Sequence, residues 1–200
     1  LMNHFASSDE FADAPSAGAQ TKAQMQRFAD ATAGLAGQRS LANSAAVLGW
    51  PDAHADWVRP GGALYGISVV EGTTGHDFGL RPAMTLGTRL IAVNRVRQGE
   101  RIGYSATWTA PEDMPVGVAA IGYGDGYPRH APSGTQVLLN GKPTDIIGRV
   151  SMDLMTLDLR GQPEAKPGDP VVLWGEDLPV ETVASHAATS AALFVAKRSP

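Results

Sequence analysis

Cysteine is absent from the 200-residue chain, which excludes disulfides and thiolate metal sites. A basic excess is absent as well: 16 Lys and Arg stand against 20 Asp and Glu, interspersed, for a net charge of −4. Without a basic stripe, nucleic acid is not an expected partner. No apolar run is long enough to span a bilayer, so no membrane partner is expected either. The opening LMNHFASSDE lacks the charged n-region of a signal peptide, and the cytoplasm is the expected compartment. Its start on Leu followed by Met reads as an opening inside a domain. The five histidines show no ligand spacing, so no metal is expected. Internal repeats and low-complexity segments are missing too; residues 12–19, ADAPSAGA, read as a small-residue loop.

What is there suffices for a core: 43% of the residues are hydrophobic, and the length allows one large domain or two small ones. In QTKAQMQRFADATAGLAG (20–37), Met25, Phe28, Ala31 or Thr32, and Leu35 recur at helical spacing. Thr21 with Gln24 forms a capping-box pattern, and Gly34 and Gly37 mark the stop. HFASSDE reads as a strand end entering a loop. RSLANSAAVLGW reads as strand, turn and helix start, and WVRPGGALYGI repeats that rhythm, a parallel α/β texture. From about residue 82 the texture changes to short strand-like runs punctuated by Gly, Pro, Asn and Asp, which predicts a small antiparallel barrel or sandwich. Asn140-Gly141-Lys142 is a hairpin turn signal, and KPGDP (166–170) is another turn. The tail ETVASHAATSAALFVAKRSP has helical potential. The expected fold class is α+β, divided into 1–81, a partial α/β domain, and 82–200, a mostly antiparallel β-domain. A complete eight-stranded α/β barrel needs about 250 residues, so the first part has room for only two or three β–α units.

Several stretches are candidate sites. AAIGYGDGYPR (119–129) imitates a phosphate-binding glycine motif, but Pro128 and APSG follow where a helix is required, which excludes dinucleotide binding. A bulge or wide turn is the plainer reading. In NSAA (43–46), Ser44 sits at a possible helix start, where free N–H groups favour an anion; an ordinary cap is the alternative. In RPGG (59–62), Gly61 and Gly62 permit close backbone approach and Arg59 adds a fixed charge; a surface turn is the alternative. His4 is placed to face a strand-end pocket. Met152, in SMD, alternates with Val150 and Leu154 as a core strand residue does.

Together the strings HFASSDE, ANSAA, DWVRPGGALYGIS, IGYSATW, AIGYGDGYPRHAPSGTQVLLNG and IGRVSMDLMTLDL resemble, in order and spacing over about residues 1–185, the pyridoxal-phosphate-dependent alanine racemases. The resemblance implies the remnant of the C-terminal end of a TIM-type barrel followed by the family's β-domain. It implies a homodimer whose active site is shared across subunits, acting on alanine to supply D-alanine for peptidoglycan. Tyr104 matches the catalytic tyrosine, the base for L-alanine. Tyr123 matches a tyrosine lining the narrow access to substrate, and Met152 a residue orienting the substrate carboxylate. Arg59 matches the arginine that donates to the pyridine nitrogen, and His4 the histidine linking it to the incoming tyrosine. Ser44, Gly61 and Gly62 fall at phosphate-contact positions, with Asn43 adjacent. A free phenol has a pKa of about 10 and is a poor base at neutral pH; positive charge relayed through Arg59 and His4 would stabilise its phenolate. The family's second base is a lysine that also holds the cofactor as a Schiff base. None of Lys22, Lys142, Lys166 and Lys197 matches it, so the chain alone is expected not to racemise alanine. Ala192 stands where the family usually has a tyrosine, and Gly62 where it has a larger apolar residue. Two other readings remain: a racemase of serine or of broader specificity, and a non-catalytic dimerisation or binding module.

Overall fold

The structure, a computed structural model, describes residues 1–10 and 18–196. The loop expected at 12–19 lies almost entirely outside them, as does Lys197. The chain forms two compact units, Leu1–Ala83 and Met84–Pro200.

In the first unit, helix α1 (Gly18–Ala31) precedes strand β1 (Ser40–Asn43), which runs directly into helix α2 (Ser44–Gly49). Strand β2 (Trp57–Arg59) pairs with β1 in parallel, Ser40 opposite Trp57 and Asn43 opposite Arg59, and Met2 bridges Ser40 in parallel from the other side. Parallel neighbours need crossovers, and α2 lies in the crossover from β1 to β2. Phe5, Leu41, Ala42, Ala46, Trp50 and Ala53 form the core, with Met25 and Phe28 of α1 packed against it. The Trp50 indole donates to the Ser8 and Glu10 carbonyls, which satisfies the one polar group that burying it would strand. The helix differs from its sequence pattern at both ends. Thr21 is not a cap but lies inside α1, its hydroxyl donating to the Ser7 carbonyl. At the other end α1 stops at Ala31, so Leu35 lies beyond it and is exposed.

The second unit is a closed antiparallel barrel. Its strands are β3 (Leu86–Val96), β6 (Met114–Ala119), β7 (Gln136–Leu139), β8 (Lys142–Ile147), β9 (Met155–Asp158) and β10 (Pro170–Trp174), joined in the cyclic order β10-β3-β6-β9-β8-β7. Between β3 and β6 a short hairpin is made by β4 (Arg101–Ile102) and β5 (Trp108–Thr109). The long β3 pairs with β10 through its first half and with β6 through its second, shifting register between Leu90 and Ala92. Leu90, Val137, Leu139, Ile146, Leu157, Leu159 and Leu173 are fully buried. Gly117 leaves room among them: a Cβ there would lie 2.9 Å from Leu90 Cδ2 and 3.3 Å from Leu159. Asn140 and Gly141 both have positive φ, 52° and 74°, the two-residue geometry that matches strand twist in the β7–β8 hairpin. Helices α3 (Val180–His186) and α4 (Ala191–Ala196) follow. Phe194 of α4 meets Trp174 edge-on at 5.0 Å, and Trp174 stacks on Tyr127 at 6.0 Å. No helix among the described residues is long and apolar enough to cross a membrane.

Candidate functional site

Two groups of candidate residues emerge, one in each unit. In the first, Arg59 ends β2, half-buried. Its Nη1 donates to the Ser40 carbonyl (3.1 Å) and the Ser40 hydroxyl (2.6 Å); its Nη2 donates to the carbonyls of Asn3 (2.7 Å) and Leu41 (3.2 Å). Parallel pairing creates this cradle, because Ser40 and Leu41 lie on the strand beside Arg59 and Met2 bridges Ser40 from the far side. A guanidinium has five N–H donors. The four on the Nη atoms are engaged, and among the described residues no acceptor meets the fifth, on Nε. The acceptors are neutral, so the full positive charge remains. His4 is exposed, and its ring is not among the partners of Arg59.

At the β1–α2 junction, Asn43 is the helix cap: its Oδ1 accepts from Ala46 N (3.0 Å) and from the Ser8 hydroxyl (2.9 Å). Ser44 is therefore the first helical residue rather than the cap. Its Oγ accepts the Gly62 N–H at 2.8 Å, which leaves its own hydroxyl hydrogen free to donate. Around Gly61 a Cβ would meet nothing within 4 Å; at Gly62 it would meet Val69 Cγ1 at 3.4 Å and Ser44 Oγ at 3.7 Å, ordinary contacts. Gly61 N in turn donates to Arg59 O at 3.0 Å, so the loop after β2 and the start of α2 form an open corner whose free donor is the Ser44 hydroxyl.

The second group lies at one end of the barrel. Tyr104 is in the β4–β5 turn, Tyr123 in the turn after β6, and Met152 in the connection from β8 to β9. That connection ties the three together. Gly103 is pressed onto it so closely that a Cβ would lie 2.7 Å from Arg149 N. Tyr123 N donates to Ser151 O (2.9 Å) and Gly124 N to Met152 O (2.8 Å). Met152 is 52% exposed, which corrects its reading as a core strand residue: Ser151 N donates to Leu154 O, so the chain turns where alternation suggested a strand, and only Val150 of the three points inward. Tyr104, Tyr123 and Leu154 are exposed as well, giving this end an aromatic and apolar face. The Arg129 guanidinium sits 5.7 Å from the Tyr123 ring centroid, a cation–π contact that restrains the ring. A groove of ≈ 570 Å³, lined among others by Thr107, Arg129, His130, Ser133 and Arg149, opens between these turns.

GYGDGY is a tight turn closed by Gly126 at φ 93° and followed by no helix. Sequence reasoning missed Ser40 and Asn3, whose role depends on the strand register, and Gly103 and Gly122, whose role depends on contact with residues about thirty or more positions away. Ala192 is half-buried in α4, its N–H donating to the Ser190 hydroxyl.

Residues 1–69 match the family model described as alanine racemase, N-terminal domain, and residues 83–199 the one described as alanine racemase, C-terminal domain. The chain is 59% identical over 190 residues to an alanine racemase of Nitrosococcus oceani and 53% identical over 200 residues to one of Shewanella sediminis. These alignments cover 94% and 100% of this chain but 51% and 54% of the relatives, so the chain spans about half their length. Among solved structures it resembles the biosynthetic alanine racemase of Pseudomonas aeruginosa, with a TM-score of 0.93 and 45% identity over 100% of this chain and 54% of that one. It also resembles the alanine racemase of Bartonella henselae with covalently bound pyridoxal phosphate, with a TM-score of 0.81 and 27% identity over 98% of this chain and 53% of that one.

Proposed function

The chain belongs to the alanine racemase family, and from that premise we propose that it supplies the C-terminal part of an enzyme interconverting L- and D-alanine. The supporting observation is Arg59. Its cradle engages four donors and leaves one N–H, which suits a neutral ring nitrogen as acceptor. Arg59 would hold the pyridine nitrogen of pyridoxal phosphate, and the hydroxyl of Ser44, beside the Asn43 cap, would hold the phosphate; Gly61 and Gly62 leave room for it and would contact it by releasing their N–H bonds to Arg59 O and Ser44 Oγ. When bound, that cofactor supplies an electron sink for the α-carbon of an amino acid. Arginine does not surrender its proton, so Arg59 would donate a hydrogen bond to the ring nitrogen without protonating it, which would limit the ring's pull on electrons and disfavour side reactions.

Tyr104 is the base that removes the α-hydrogen of L-alanine; its exposed position suits work in the site of a partner subunit. Met152 orients the substrate carboxylate through its backbone, and Tyr123 narrows the access. His4 would bridge between Arg59 and the partner's tyrosine if one Nη hydrogen of Arg59 exchanged its present acceptor for the His4 ring. β1 and β2, with the Met2 bridge, are successive strands of an α/β barrel. Their exposed Trp57 and Val58 accord with this, since parallel sheets are normally covered on both faces. The second base, a lysine, matches none in this chain, so the chain needs the family's N-terminal half to turn over.

The test mixes this chain with the N-terminal half of a relative, pyridoxal phosphate and L-alanine. D-alanine is expected from the mixture and not from either part alone; its absence from the mixture counts against the proposal. In the active mixture Tyr104→Phe is expected to abolish proton exchange from L-alanine while the cofactor absorbance survives. L-serine in the same assay distinguishes a broader substrate range.

A further inference from the structure

The Tyr104 turn holds a backbone feature that the proposed chemistry does not require by itself. Gly103 has φ 80° and ψ 172°, a region essentially restricted to glycine. Ser105 follows Tyr104 at φ 61°, ψ 14°, and Ala106 has φ 50°. Three of four consecutive residues therefore have positive φ, and two of them carry a Cβ. Left-handed conformations disfavour such residues, and neither serine nor alanine has the side chain with which Asn or Asp eases them. Strain of this kind persists only where the surroundings impose it.

The surroundings here can be named. Ile102 and Trp108, the paired residues at the base of the turn, pack against the Ala110–Met114–Val116–Ile147 core. At the first residue of the turn, Gly103 and Gly148 face each other: a Cβ on Gly148 would lie 3.1 Å from Ile102 O and 3.3 Å from Gly103 Cα. Ala106 N closes the turn on Gly103 O at 3.1 Å. The turn is thus clamped at its base and at its entry, while the Tyr104 side chain is 61% exposed. With so little packed around the ring, the backbone sets the direction in which the side chain leaves the chain and the rotamers it can reach.

We infer that Ser105 and Ala106 are positioning residues: their left-handed backbone, closed on Gly103, which is itself pressed on the Gly148–Arg149 segment, directs the Tyr104 side chain. The catalytic part of this inference rests on the racemase reading; the structural part does not. β-branched residues resist the left-handed region, whereas Asn and Gly accept it, so backbone conformation and not the serine hydroxyl should govern the outcome.

The experiment labels the four tyrosines of the chain with 3-fluorotyrosine and follows four fluorine resonances, assigned by single Tyr→Phe changes. Ser105→Val is expected to shift the Tyr104 resonance by more than its linewidth while those of Tyr65 and the buried Tyr127 stay in place. Ser105→Asn and Ser105→Gly are expected to keep the native pattern. If Tyr127 moves in Ser105→Val, showing a disturbed barrel, the milder Ser105→Thr decides by the same criterion. An unmoved Tyr104 resonance in the folded variant overturns the inference, and so does a Ser105→Asn shift as large as that of Ser105→Val. In the complemented enzyme, Ser105→Val is expected to lower kcat from L-alanine roughly tenfold to a hundredfold with KM little changed, and Ser105→Asn to restore it. Failure of the unmutated mixture to make D-alanine would count against the racemase reading alone, because the resonances report the aim of the phenol without turnover.

Discussion

Of the four tyrosines Tyr127 alone is buried, 1% exposed, and among the described residues its hydroxyl has no hydrogen-bond partner. Burial pushes its phenol well above the usual value of 10, because the phenolate would lose its water. A folded-state value raised above the unfolded one contributes stability that is complete below pH 10 and is lost as pH rises through the folded value. The chain should therefore weaken in alkali, and Tyr127→Phe should blunt that loss. At neutral pH the same change should alter stability by no more than about 1 kcal/mol, since it removes an unpaired polar group and keeps the stack on Trp174. Urea midpoints at pH 7 and pH 11 check both statements; a cost well above that at pH 7 would mean that the hydroxyl has a partner after all. The two tyrosines of GYGDGY share one motif, yet Tyr127 is buried against Trp174 while Tyr123 faces out. Nothing in the letters separates them, because the turn that sends them apart is set by contact with Ser151 and Met152.

That contact is an affair of elements. Gly122 has extended backbone, so its role is space rather than φ: a Cβ would lie 2.3 Å from both Ser151 O and Met152 O. Gly122→Ala must push the two turns apart and break the bonds from Tyr123 N and Gly124 N. We expect a loss on the order of 2–3 kcal/mol in urea unfolding, from overpacking and stranded backbone groups. Gly124→Ala, whose Cβ would be 3.0 Å from Met152 O, should cost less, and equal losses would refute this reading of the contact. The difference between legible and illegible elements is physical. The β7–β8 hairpin is legible because Asn140 and Gly141 tolerate positive φ, so the signal is local. The body of α1 is legible because Met25 and Phe28 share its buried face. Leu35 keeps the helical spacing, but Gly34 turns left-handed at φ 76° and the chain has already left the helix. Met152 keeps strand alternation through Val150 and Leu154, but its segment is docked on the Gly122 turn. Ser105 and Ala106 give no sign of left-handed backbone, because neither residue type favours it. Ser40 likewise gives no sign of holding Arg59, because only the parallel register brings them together. Residue type thus nominates candidates such as Arg59 and Ser44, and pairing between distant segments decides what holds them.

At the scale of the molecule, the two units differ in how they treat their strand edges. The barrel closes, so each of its six strands has two neighbours, and its interior is lined by fully buried Leu, Ile and Val. Among its described residues the first unit has one parallel pair and a single-residue bridge, with Met2, Trp57 and Val58 exposed. A two-stranded sheet is marginal by itself, and an open edge leaves backbone groups without partners. Regions with few buried contacts open first, in cooperative blocks. Residues 1–83 should therefore lose hydrogen-exchange protection at lower urea than residues 84–196, with the amides of β3, β6 and β9 the last to exchange. Trp50 and Trp57 report the first unit and Trp108 and Trp174 the second, so single Trp→Phe variants can separate the transitions by fluorescence. Adding the N-terminal half of a relative with pyridoxal phosphate should raise the earlier midpoint toward the later one, because whatever binds only the folded state stabilises it by mass action. A single coincident transition in the chain alone would overturn the expected order. An earlier midpoint unmoved by the added half and cofactor would mean that the open edge of β1 and β2 is not where they bind.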